Sequence, residues 1–349
     1  MKENDYLASA AQVLDPAHGT LYALVPRKLP TVRGPWALRA IRLRDHTSRS
    51  GGTYPVPGIA LAGGFLWAYG DTAAGQALVS EINPRTLATV RQEKMGSDQA
   101  GVAGVAAGPA GSVWTGFGRT LLRLSVRTGA VLARATLPAG LGLESITASP
   151  AGTVLYASTT RANTGGCVML GYSAVTGRLL ARAAAPPLAY SVAGAMLTAV
   201  PGGVWASFRT GMMGQSVLLS QRGLAIIARP PAELGLGPYE WPMGSSAVYG
   251  GGSLWVATES GLVACLNPAT GTIRAQEAVT SPAAQVWDLL AADSGPRLLY
   301  GLTQGSAALV TITPPPRCWA SSTGALPVRR LLLDVEEALV DEFVDAERA

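Results

Sequence analysis

One grammar of short strands repeats seven times along the 349-residue chain, each copy carries an aromatic anchor, and turns rich in glycine and proline recur at fixed places. Together these predict an all-β fold, a seven-bladed β-propeller of four-stranded antiparallel blades, with a short C-terminal helix. The clearest copy is GSLWVATESGLVACLNPATGTIRAQEAV, residues 252–279. A small-residue turn leads into a strand holding Trp255, a polar turn leads to a strand over Leu262–Leu266, and an NPATG turn opens the next. The anchors are Tyr22, Trp67, Trp114, Tyr156, Trp205, Trp255 and Tyr300, separated by 45, 47, 42, 49, 50 and 45 residues. Seven anchors at that period mean seven blades, so residues 1–327 form one domain and residues 328–349 a separate tail.

Taken in order, the first blade has an outer strand near Asp5–Leu7, an inner strand at Gln12–Leu14, then Thr20–Val25 and Ala37–Leu43. Blade two uses Ile59–Ala62, Phe65–Tyr69, Ala77–Ile82 and Leu87–Gln92, and blade three uses Val102–Ala106, Ser112–Gly116, Thr120–Ser125 and Ala130–Thr136. Blade four uses Ser145–Ala148, Val154–Ser158, Cys167–Tyr172 and Leu179–Ala184, and blade five uses Ala195–Val200, Val204–Phe208, Ser216–Ser220 and Leu224–Ala228. Blade six uses Ser246–Tyr249, Leu254–Thr258, Leu262–Leu266 and Ile273–Ala278. Blade seven has three strands, Trp287–Ala291, Leu298–Leu302 and Ala308–Ile312, before TPPPRCW. Three consecutive prolines cannot join a central ladder. The missing strand comes from residues 2–7, from residues after Cys318, or from sequence upstream of Met1.

The turns agree with this parse. NPRT (83–86), VRTG (126–129), AVTG (174–177) and NPATG (267–271) stand between third and fourth strands, three of them with glycine where a left-handed residue closes the hairpin. AGG (62–64), GPAG (108–111), SPAG (149–152), VPGG (200–203) and YGGG (249–252) stand between first and second strands. These are scaffold residues.

The composition, 48% hydrophobic and 14% charged with 42 glycines, suits stacked sheets and many tight turns. No uninterrupted apolar run of about 18 residues exists, so no membrane span is expected. The formal charge of +5 is uneven: the tail 328–349 has seven carboxylates against three arginines, leaving it −4 and the rest +9. Arg27, Lys28, Arg33, Arg39, Arg42, Arg44 and Arg49 crowd blade one. Their sparse aromatic interleaving favours a solvated rim over a nucleic-acid surface. In the tail, Leu332, Val335, Leu339 and Phe343 are spaced 3, 4 and 4 apart among carboxylates, an amphipathic helix that either docks on the propeller or takes a partner. Cys167, Cys265 and Cys318 fall in different repeats without a CxxC, so no metal site is expected. They are core cysteines, or a bridge through Cys318 marks an oxidising compartment. MKENDYLASA lacks an apolar signal core, which points to the cytoplasm unless an export segment precedes it.

The motifs GSLWVATE (252–259), GSVWTGFG (111–118) and GGVWASF (202–208), with the TG turns, resemble the superfamily of streptogramin lyases, NHL and YVTN repeat proteins and quinoprotein-like propellers, over roughly residues 10–319. The resemblance implies the fold; for activity it implies a metal-assisted lyase working through histidine and glutamate, or a quinone enzyme. The only histidines, His18 and His46, fall in hairpin turns of blade one on a face away from Glu259. Neither tryptophan docking motifs nor an eighth blade is clear, the GH and WD dipeptides of WD repeats are absent at the blade positions those repeats use, and no cofactor is expected.

In such a fold the strand-two-to-three hairpins and the connections between blades share one face. Asp71, Arg119, Arg161, Arg209, Glu259 and Gln304 follow the anchors by four or five residues in six blades, and are expected as a polar ring there. The longest connection, residues 229–246, adds Tyr239, Glu240 and Trp241, a stacking surface beside a carboxylate. Tyr54, Tyr190 and Gln285 are expected to line the same mouth. The reading is a non-catalytic module binding a small molecule, carbohydrate, peptide or protein at the channel mouth; the alternative is a metal-assisted lyase or hydrolase using Glu259, Glu240 or Asp71.

Overall fold

The computed structural model describes residues 11–26, 35–45, 47–56, 58–96, 102–161, 166–184, 195–210, 213–229, 247–257, 262–278, 286–293, 298–303, 309–312 and 316–319. The first sheet is β1 (Ala11–Asp15), β2 (Thr20–Pro26), β3 (Trp36–Arg42) and β4 (Ser48–Tyr54). The second is β5 (Gly58–Ala62), β6 (Phe65–Asp71), β7 (Ala77–Ile82) and β8 (Thr89–Gly96), and the third is β9 (Val102–Gly108), β10 (Ser112–Phe117), β11 (Thr120–Ser125) and β12 (Val131–Thr136). The fourth is β13 (Leu141–Ala148), β14 (Val154–Arg161), β15 (Cys167–Ser173) and β16 (Leu179–Ala184), and the fifth is β17 (Ala195–Val200), β18 (Gly203–Thr210), β19 (Met213–Ser220) and β20 (Ile226–Ala228). The sixth is β21 (Ala247–Gly250), β22 (Ser253–Ala257), β23 (Leu262–Leu266) and β24 (Ile273–Ala278). A further sheet holds β25 (Val286–Asp293), β26 (Leu298–Thr303) and β27 (Leu309–Ile312). Six sheets have four strands, and the last has three among the described residues. Asp5–Leu7, residues 2–7 and the tail helix lie outside those residues.

Every sheet is an antiparallel meander in chain order. The first strands touch in a closed cycle, β1 on β5, β5 on β9, and onward through β21 on β25 to β25 on β1. Among the described residues, apolar side chains of facing sheets fill six of the gaps between neighbours, and each of these six holds an anchor. Tyr22 packs between sheets one and two, Trp67 between two and three, Trp114 between three and four, Tyr156 between four and five, and Trp205 between five and six. Trp255 meets Leu299 of the last sheet. The anchor thus faces the following sheet, and the period in the sequence is the period of these interfaces. Burial raises the Tyr156 hydroxyl to about 12.

Polar groups clasp neighbouring sheets at the third-to-fourth-strand turns. Trp114 Nε1 donates to Ala174 O at 2.9 Å, and the Tyr22 hydroxyl donates to Pro84 O at 3.3 Å. Arginines add a second set: Arg49 Nη1 to Arg85 O (2.6 Å), Arg91 Nη2 to Arg127 O (2.9 Å) and Arg123 Nη1 to Val175 O (2.8 Å). Arg91 Nε also lies 3.0 Å from the Glu81 carboxylate, which is only 1% exposed. Burial pushes the Glu81 carboxyl up, and the Arg91 charge opposes that in part.

The expected left-handed turn residues are present at Gly129, Gly177 and Gly271, with φ of 74°, 74° and 69°. The same position in NPRT falls to Leu87 (φ 59°), and in the fifth sheet to Leu224 (φ 56°). Both had been expected to begin fourth strands; those strands start two residues later because the turn claims these residues, and their buried side chains offset the backbone strain. At Gly177 a Cβ would lie 3.2 Å from both Arg134 O and the Trp114 ring. Gly177→Ala therefore combines left-handed strain with overpacking, and about 2–4 kcal/mol of stability should be lost in urea denaturation.

The strand Ser48–Tyr54 was not expected. Its sequence SRSGGTY has no alternation, because it is an outer edge whose side chains are mostly exposed, and its backbone ladder with β3 holds it. The last described segment, a 3-10 turn over Pro316–Trp319, packs on β24 and is bridged to the sixth sheet by Cys265–Cys318. Cys167 is free and buried. Among the described residues no helix is long and apolar enough to cross a membrane.

Candidate functional site

A cavity of about 240 Å³ lies against the inner strands of sheets three to six. Its wall includes Ala103–Val105 of β9, Ser145 and Ile146 of β13, Met196–Thr198 of β17 and Ala247 of β21, with Tyr69 from β6. Small side chains at Ala103, Gly104 and Ala247 leave room for a cavity on the inner side. Its hydroxyls serve the scaffold first: Ser145 Oγ donates to Ala195 O at 2.5 Å and Thr198 Oγ1 to Ala247 O at 2.7 Å, joining the inner strands of successive sheets. Ser158 Oγ accepts from Ala195 N at 2.5 Å. Ser145, Thr198 and Met196 were not singled out from the sequence; each is one residue of an inner strand of mixed apolar and small residues, LGLESITA or AMLTAV, and carries no motif.

Asp71 closes β6 two residues beyond Tyr69 on the same side of the strand, about 7 Å nearer the hairpin end. It therefore stands above the cavity wall. Its Oδ1 is buried without a hydrogen-bond partner among the described residues, and that burial raises its carboxyl above the usual range. Arg119 occupies the β10–β11 hairpin, where its Nη2 donates to Leu137 O at 2.8 Å, tying the hairpin to the end of β12. Arg161 is the exposed last residue of β14, and its backbone N–H closes the next hairpin on Gly166 O at 2.9 Å. The topology puts these three at the same end of strand two in consecutive sheets. No hydrogen bond or ion pair joins any two of them among the described residues. Arg209 lies in β18, backbone-paired with Gly214. Tyr239, Glu240, Trp241, Glu259, Gln304, Tyr190 and Gln285 lie outside the described residues.

Tyr54 is a correction. It was expected at the mouth, but it ends β4 only 2% exposed, packed between sheets one and two with its hydroxyl 3.0 Å from Thr89 Oγ1. The aromatic ring belongs to the core because the unexpected strand carries it there. His18 sits in the β1–β2 hairpin, on the face opposite Asp71, with Nδ1 2.7 Å from Asp15 Oδ2. His46 lies outside the described residues. In the basic first sheet, Arg42 and Arg44 both pair with Asp45, at 3.1 and 3.3 Å.

Comparison with known proteins gives a likeness of shape. No family model matches the sequence. No curated protein matches it either. The crystal structure of BamB from Moraxella catarrhalis is similar, with a TM-score of 0.53 and 17% identity over 86% of this chain and 80% of that one. The chain has a β-propeller-like fold. At this identity the likeness carries no activity. The match extends to 1288 chains of solved structures, which marks a populated architecture and leaves function to the surface.

Proposed function

We propose that residues 1–327 form a closed seven-bladed propeller acting as a non-catalytic, protein-binding scaffold, with its partner seated on the face that carries the strand-two-to-three hairpins. The observation behind this reading is the placement of Asp71. A buried carboxylate oxygen without a donor, at the rim above a cavity, is an acceptor that a partner's N–H or ammonium group would satisfy. Arg161 on the same face offers the opposite charge. Arg209, Tyr239, Glu240, Trp241, Glu259 and Gln304 extend the proposed ring around the mouth, and Arg119 contributes the donors that Leu137 leaves free. The hydroxyls Ser145 and Thr198 hold the inner wall shut, so recognition falls to the loops and not to the channel lining. Small molecules and carbohydrates would use the same mouth. The Cys265–Cys318 bridge supports an oxidising compartment as the place of work.

The test is a quantitative comparison of captured partners. Asp71→Ala combined with Arg161→Glu should weaken the main partner at least about tenfold, since charged contacts are worth roughly 1.5–3 kcal/mol each. Arg85→Glu, on the opposite face, should leave the same partner bound. Equal capture by the double variant and the wild type would remove the mouth from consideration.

A further inference from the structure

The outer edge of three consecutive sheets repeats one short motif: VLAR (131–134), LLAR (179–182) and IIAR (226–229). In each, the register with the third strand shifts just after the turn, at Arg123/Leu124, Gly171/Tyr172 and Leu218/Leu219. Such a bulge re-aims the side chains of the bulged strand. Here it leaves Val131, Leu132, Leu179, Leu180, Ile226 and Ile227 between 42% and 52% exposed. Paired large aliphatics at the same place in three neighbouring sheets form an apolar belt, not scattered surface residues. Arg134, Arg182 and Arg229 follow the pairs, exposed and without an ion pair among the described residues. The stretches 126–137, 174–184 and 220–229 contain no carboxylate at all.

The complementary surface is in the same chain. Residues 328–349 carry a net −4, with Leu332, Val335, Leu339 and Phe343 at helical spacing. The chain enters that segment from Trp319, whose 3-10 turn is fixed to the outer strand of sheet six, next to the belt's edge on sheet five. The 13 steps from Trp319 to Leu332 reach roughly 45 Å when extended. A helix over 331–347 would be about 25 Å long. We propose that the belt is the seat of the chain's own acidic tail, its apolar stripe on the aliphatic pairs of sheets four and five and its carboxylates toward Arg182 and Arg229. The belt is remote from the mouth face, so this docking stands apart from the proposed partner site.

Hydrogen exchange of the full chain, with its mass followed by light scattering, tests this. A tethered tail acts at millimolar effective concentration, so covered amides of β16 and β20 should exchange about tenfold more slowly than in the variant Leu339→Asp/Phe343→Asp. A second variant, Arg182→Glu/Arg229→Glu, changes only exposed positions and should release the same amides, with a monomeric mass throughout. Unchanged exchange in both variants would overturn the proposal. So would a dimer that becomes monomeric in either variant, because the seat would then hold a second copy's tail.

Discussion

Trp114→Ala should lower the unfolding free energy by about 3–5 kcal/mol, the range for removing a fully buried large aromatic. The indole is 0% exposed at the centre of the cluster between sheets three and four, touching neither solvent nor a ligand surface. Truncation leaves a cavity walled by backbone-paired strands that cannot collapse independently, and leaves Ala174 O without its indole donor. Trp114→Phe, which keeps an aromatic ring but loses the donor and part of the indole's volume, should cost roughly 1–3 kcal/mol. Urea denaturation of the three proteins decides the matter. A loss below about 1 kcal/mol for the alanine variant would mean that the interface relaxes around the missing ring, and that the anchors are not what holds successive sheets together.

Removing the Cys265–Cys318 bridge should cost about 4 kcal/mol, the chain-entropy value for the 53-residue separation it spans. The effect concentrates where the ring is thinnest. The last sheet has three described strands, and the 3-10 turn that follows it crosses back to sheet six. There Ser253 Oγ donates to Cys318 O, while Arg274 Nη1 donates to Ser253 Oγ at 2.8 Å and to Gly252 O at 2.9 Å. Cys318→Ser leaves these hydrogen bonds available but unties the covalent link between the final turn and the sixth sheet. Alkylation of the denatured chain should label one thiol before reduction, Cys167, and three after it. Stability unchanged by reductant would show that the hydrogen-bonded turn suffices without the covalent link.

The fold was legible because its dominant interaction is periodic. Each of the six described anchors fills one gap between sheets, so the spacing of tryptophans and tyrosines reports the spacing of interfaces directly. The turn glycines were legible for a related reason: a left-handed residue closes the third-to-fourth-strand turns of sheets two to six, and glycine meets that need at least cost. Leu87 and Leu224 escaped that rule because burial of a leucine side chain compensates the strain locally, which no turn motif announces. Ser48–Tyr54 escaped because an edge strand needs a partner's ladder more than a hydrophobic face of its own.

The candidate site was legible only as positions along strands. That Asp71, Arg119 and Arg161 share one end of strand two follows from counting residues after the anchor. Which of them is free to bind does not follow from counting. Arg119 is partly engaged by Leu137 O, Asp71 has a buried oxygen without a donor, and Tyr54 is drawn into the core.

By itself, the sequence determined an all-β chain of repeated antiparallel units, the location of its turns and the aromatic centre of each interface, because these depend on side-chain type at short, regular separations. Only the tertiary structure decided that Ser48–Tyr54 completes the first sheet, that Cys265 pairs with Cys318, and that outward-turned aliphatic pairs line up across three sheets. Those features depend on contacts between residues dozens of positions apart, and on bulges that shift a strand by one residue, which composition and spacing along a single chain do not encode.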